Sequence, residues 1–189
     1  MYCFYVYFCD RLSYNSYMKG GINMESNIRS AIDVSRYIIN ECHKQNLSIS
    51  NLKLQKLLYF AQGYSLALTD TPLFYNEIEA WDFGPVVPEV YREYKMFGAN
   101  EIPIIDSYYD IDFDSEDFLS EIKFDDNIFN DNQKLIMNAV VKQFGKFTAN
   151  DLVNMTHRQS PWKDSYKIDK NISKDKIKTF FNQYRMRNS

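Results

Sequence analysis

The chain contains two histidines, and one of them, His157, has a hydroxyl and a carboxylate close by in sequence, Thr156 and Asp164. Those are the parts of a general acid–base centre. The more ordinary alternative is a helix-terminal histidine that bonds a backbone carbonyl and packs on Trp162. His43 adjoins Cys42 but has no further ligand nearby, whereas a zinc site uses about four. Lys53 and Lys56 could meet phosphate, or could form the wet face of a helix. No Walker A, GxGxxG, GxSxG or HExxH pattern occurs. The expectation is a protein that is not an enzyme, with no catalytic residues, no metal and no cofactor.

The 189 residues suit one domain, and 45% hydrophobic content is ample for a core. Six glycines and five prolines argue against a turn-rich sandwich. Cys3, Cys9 and Cys42 form an odd, scattered set without a Cys-x-x-Cys pair, which fits reduced thiols in the cytoplasm rather than a disulfide framework. No apolar run approaches the roughly 20 residues of a membrane span. The net charge of −3 is unevenly spread. Glu101–Asp131 holds eleven acids and one base, and Arg158–Ser189 holds nine bases and three acids. Either these faces attract each other within the fold, or the basic tail serves a nucleic acid or an acidic partner.

Residues 1–23 read as a non-native leader or a disordered extension, and 24–189 as a single helical domain. The opening aromatic run lacks helical spacing and the flanks of a signal peptide. The stretch KGGIN before Met24 can be encoded by a ribosome-binding site and spacer, which would place the start of translation at Met24. Mass spectrometry of the native protein checks this: peptides covering Tyr2 to Lys19 would show the leader to be translated.

Beyond the leader the pattern is mainly α, a compact helical domain with a short β-hairpin or extended segment around residues 73–84. A first helix, capped by Ser26, carries Ile28, Ala31, Ile32, Ser35, Ile38, Ile39 and Cys42 at helical spacing. A second, capped by Ser50, places Leu54, Leu57, Leu58, Ala61 and Leu68 on one face, and Gly63 within it suggests close approach by another backbone. Gly84-Pro85 breaks the chain, and Pro88 suits the first turn of a third helix. That helix bears Val87, Val90, Tyr91 and Tyr94 and is capped by Gly98. The acidic stretch reads as a loop with one short helix. A further helix spans Asp131–Phe144, with Leu135, Ile136, Ala139, Val140 and Phe144 inward. Thr148 and Asp151 form a capping-box-like start to a helix running through Met155. A last helix begins at Ser173 and carries Ile177, Phe180, Phe181 and Tyr184. Leu135–Met155 could also be a helix-turn-helix, or two packed helices with no DNA role.

Three blocks occur in order: LKLQKLLYFAQGYSLAL, PLFYNEIEAWDFGPVVPEVYREYKMFG and FTANDLVNMTHRQSPWKDSY. Together they resemble the Panacea antitoxin domain family, which includes SocA-type antitoxins and GepA-like, phage-associated bacterial proteins, over roughly Ile28 to Tyr166. The resemblance implies a mostly helical antitoxin of a type II pair that meets its cognate toxin by direct protein contact. The SocA type is also an adaptor that delivers its toxin to a Clp-type protease. A DNA-binding regulator using residues 135–155 is the alternative. The candidate partner-binding set is Trp81, Phe83, Gly84, Pro85, Val86, Tyr91, His157 and Trp162. Within it, Trp81 and Phe83 alternate with Ala80 and Asp82. They would either plug the core between the second and third helices or form a rigid apolar wedge.

Overall fold

The computed structural model describes residues 28–111 and 119–187. Its elements are α1 (Ala31–Lys44), α2 (Asn51–Thr69), β1 (Glu79–Trp81), β2 (Gly84–Val86), α3 (Pro88–Tyr94), β3 (Ser107–Ile111), β4 (Leu119–Lys123), α4 (Asp131–Phe144), α5 (Ala149–His157), α6 (Ser160–Lys163) and α7 (Lys174–Arg187), with single 3-10 turns at Lys95–Phe97 and Asp126–Ile128. The fold is mainly helical, with a short hairpin where one was expected. The leader reading of residues 1–23 and the proposed cap at Ser26 lie outside the described residues.

Helix α2 is the axis. Fifteen of its nineteen residues are buried, because α1, α4, α5, α7 and the β1–β2 hairpin all pack on it. A helix enclosed on every side no longer shows a single apolar stripe. Its polar residues are therefore buried too, and each needs a partner. Lys53 donates to the Ser48 carbonyl at 2.7 Å, and the Gln62 amide bridges the Phe74 carbonyl and the Leu73 N–H. The wet-face alternative for Lys53 and Lys56 is overturned: both side chains are buried.

Local chemistry sets the helix ends. Ser30 caps α1 by accepting the Asp33 N–H. Ser50 precedes α2 but makes no side-chain capping bond. Asn130 and Gln133 form a capping box at α4, and Thr148 and Asp151 form one at α5. The inward face of α4 turns slightly from expectation: Met137 and Val141 are buried, whereas Leu135 and Ala139 are only half-buried. Gly63 marks close approach, as its spacing suggests, but by a side chain, the Phe181 ring of α7.

Two expectations fail for non-local reasons. The acidic stretch holds one short helical turn, at Asp126–Ile128, but the rest is not simply loop, since β3 and β4 pair antiparallel from Ser107↔Lys123 to Ile111↔Leu119. Nor are the acidic and basic stretches seen paired: among the described residues no ion pair joins them. The tail's lysines go instead to Glu79, Glu77 and Asp70, through Lys170, Lys174 and Lys178. Helices α4 and α5 each pack on α2 and touch each other little, unlike the mutually packed pair of a helix-turn-helix. No helix among the described residues is long and apolar enough to cross a membrane.

Candidate functional site

The hairpin is joined by a two-residue turn, Asp82-Phe83, with Trp81 paired to Gly84. Gly84 adopts φ +97°, a backbone state that side chains other than glycine's rarely tolerate. Gly84 and Pro85 thus belong to the second strand, rather than simply breaking the chain before α3.

The body of the protein clamps this hairpin from several directions. Trp162 Nε1 donates to the Trp81 carbonyl at 3.0 Å, and the Tyr166 hydroxyl donates to the Asp82 carboxylate at 2.7 Å. From α2, Gln55 Oε1 accepts the Val87 N–H at 2.9 Å, and Lys56 Nζ donates to the Pro85 carbonyl at 2.8 Å. Gln55 also donates to Asn51, whose amide donates to the Tyr91 carbonyl. On the outer side, the Ala80 N–H donates to the Lys170 carbonyl at 2.8 Å. Behind the turn, His157, Trp162 and Tyr166 form a continuous stack, with ring centroids 3.9 Å and 4.5 Å apart.

In front of the clamped hairpin lies a groove of about 650 Å³, lined by Leu52, Trp81, Phe83, Val86, Tyr91 and Lys95 among others. Trp81 meets Tyr91 edge-on at 5.0 Å, and its indole N–H is held by Glu79 at 2.6 Å. Phe83 is 67% exposed and Tyr91 39%. Phe83 is therefore no core plug, and Tyr91 does not join Val87, Val90 and Tyr94 in the core.

Of the candidate residues, Trp81, Phe83, Val86 and Tyr91 line the groove, Gly84 and Pro85 sit beneath it, and His157 and Trp162 buttress it. Sequence reading missed Asn51, Gln55 and Tyr166, and gave Lys56 to phosphate or a wet face rather than to the hairpin. The Gln-Lys pair stands among leucines at ordinary helical spacing, and only the enclosure of α2 reveals its role.

His157 Nε2 is buried without a hydrogen-bond partner among the described residues. Burial, and secondly the Lys56 charge, hold its pKa below the ordinary histidine value. Lys56 makes no ion pair among the described residues, and burial pushes its pKa down to about 7. Between pH 7 and 9 the unfolded chain keeps the lysine proton that the folded chain sheds. Folding stability should therefore rise with pH across that window, approaching roughly 1 kcal/mol per pH unit. Near the top of this window the rise levels off, because burial raises Cys42 to about 12, and the unfolded thiol, ionising at about 8.5, offsets the lysine. Urea melts at pH 7, 8 and 9 check this; a flat profile would show that Lys56 keeps its proton in the fold.

The chain belongs to the SocA-like antitoxin family: residues 54–163 match the family described as antitoxin SocA-like, Panacea domain. That span begins in α2 and runs through the hairpin to α6. Within the curated relatives, the chain is similar to Antitoxin SocA of Caulobacter vibrioides (strain NA1000 / CB15N), at 46% identity over 67 residues. The similarity covers 35% of this chain and 34% of that protein, so it spans about a third of the relative's length. No solved structure matches the chain.

Proposed function

We propose that this protein is a non-enzymatic antitoxin of a type II pair that neutralises its toxin by direct contact, docking it in the groove beside the β1–β2 hairpin. The observation that carries this is a rigidly clamped hairpin presenting Phe83 to solvent beside Trp81 and Tyr91. Aromatic anchors in a central pocket dominate binding energy at protein interfaces. A surface already held in place loses little conformational freedom on binding.

The test is co-expression and titration with the product of the adjacent reading frame. Phe83→Ala should weaken the complex by about 2 kcal/mol or more, the hot-spot range. Its melting temperature should stay near wild type, because an exposed ring loses few contacts when trimmed. Unchanged affinity would place the toxin elsewhere on the molecule. A salt-dependent gel shift on the upstream DNA, with no toxin binding, would favour the regulator instead. Toxin that disappears only in Clp-proficient cells would add the adaptor step.

A further inference from the structure

We infer that Lys56 is a positioning residue for the docking hairpin: its buried ammonium holds the Pro85 carbonyl and so sets where Trp81, Phe83 and Tyr91 stand. The inference presupposes the docking surface proposed above. Lys56 is wholly buried and is among the largest fully enclosed side chains in the protein. Its surroundings are unusual for a cation. From β2 it faces Gly84 and the Pro85 carbonyl, and from α5 it faces Thr156 and the His157 ring. No carboxylate approaches it from any of these elements, and burial alone accounts for its depressed pKa. Such a group adds little to stability, because well-packed hydrophobic replacements of buried charges are often neutral or stabilising.

Its contribution is geometric. Pro85 has no N–H, and the Ala80 N–H opposite it points away to Lys170. The Pro85 carbonyl thus depends on Lys56. The contact is also tight: a Cβ on Gly84 would lie 2.9 Å from Lys56 Cε, so the hairpin rests directly on the lysine stem. A buried polar contact that adds little stability yet specifies one arrangement is the best-supported use of such groups.

The chain's two tryptophans, Trp81 and Trp162, are both in this site, so fluorine NMR of fluorotryptophan-labelled protein reports on it alone. Lys56→Met keeps the stem and removes the ammonium. The expected result has three parts, read at about pH 6, where Lys56 keeps its proton: a urea midpoint equal to or above wild type, displaced or broadened fluorine resonances, and affinity for the toxin lowered by about tenfold or more. Lys53→Met removes another buried ammonium, whose partner, Ser48, is not part of the hairpin. It should leave the resonances and the affinity unchanged.

Unmoved resonances in Lys56→Met overturn the inference, as does wild-type affinity in a variant whose Phe83→Ala counterpart binds weakly. So does an equal loss of affinity in Lys53→Met. If Phe83→Ala leaves affinity intact while Lys56→Met still displaces the resonances, the docking surface is wrong and the positioning role stands. Should Lys56→Met fail to fold, the wild-type spectrum decides. Loss of the lysine proton weakens the same bond, so the resonances should move between pH 7 and 9, above the range in which His157 titrates. Fixed resonances there, in a protein whose urea melts show the lysine proton to be lost, would overturn the inference.

Discussion

Phe181→Ala should cost about 3–5 kcal/mol of folding stability, the range for deleting a buried aromatic ring. The ring is buried at the contact between α2 and α7. It meets Tyr59, Phe60, Tyr64 and Phe180 edge-on, at centroid distances of 5.7, 6.3, 5.2 and 5.5 Å. It also fits into the notch at Gly63, where an added Cβ would overlap it. Gly63→Ala is therefore predicted to destabilise by about 1–3 kcal/mol through overpacking, although alanine is the better helix former by about 1 kcal/mol. The two costs should not add. With Phe181 already trimmed, the alanine methyl has room, and Gly63→Ala should become neutral or stabilising, a coupling that a double-mutant cycle in urea measures. A loss below about 1 kcal/mol for Phe181→Ala would mean that α7 is peripheral. On the packing seen here, truncation before Ser173 removes Ile177 as well as Phe181, both buried in the common core, and should leave the remaining chain unable to fold stably.

Gly84→Ala should be nearly as severe and should also abolish neutralisation. Two independent costs coincide. The backbone at φ +97° is strained for any residue with a Cβ, worth about 1–3 kcal/mol. The methyl would lie 2.8 Å from Thr156 Oγ1 and 2.9 Å from Lys56 Cε, and overpacking adds about 1–3 kcal/mol. Thr156 cannot readily yield, because it is buried and its hydroxyl donates to the Val153 carbonyl. The combined expectation is about 2–6 kcal/mol, read by thermal or urea denaturation. Gly98 provides the control: its φ is also positive, at +57°, but nothing surrounds it. Gly98→Ala should cost about 1–3 kcal/mol, from the backbone alone; because Gly98 also lines the groove, it is a control for stability and not for toxin binding. Equal effects at the two glycines would show that the contact beneath the hairpin is soft.

Much of this architecture is set by short-range chemistry and was legible in the sequence. Helix α4 occupies Asp131–Phe144 as its spacing predicts, and Thr148 with Asp151 starts α5, because capping bonds and apolar periodicity act within three or four residues. Pro88 opens α3 for the same reason. The WDFGPV block marked the turn and its aromatic neighbours, and the ordered blocks carried the family. What only the tertiary structure decided are the features that depend on what lies opposite. The acidic stretch became a hairpin because β3 found β4 across an intervening segment, and strand pairing is not written in either strand alone. Phe83 and Tyr91 were left outside the core by the way the hairpin sits on α2. Lys53 and Lys56 carry the local signature of a wet helical face, yet both are enclosed. A helix's own sequence records which side is apolar, but how many neighbours surround it depends on the packing of the whole chain.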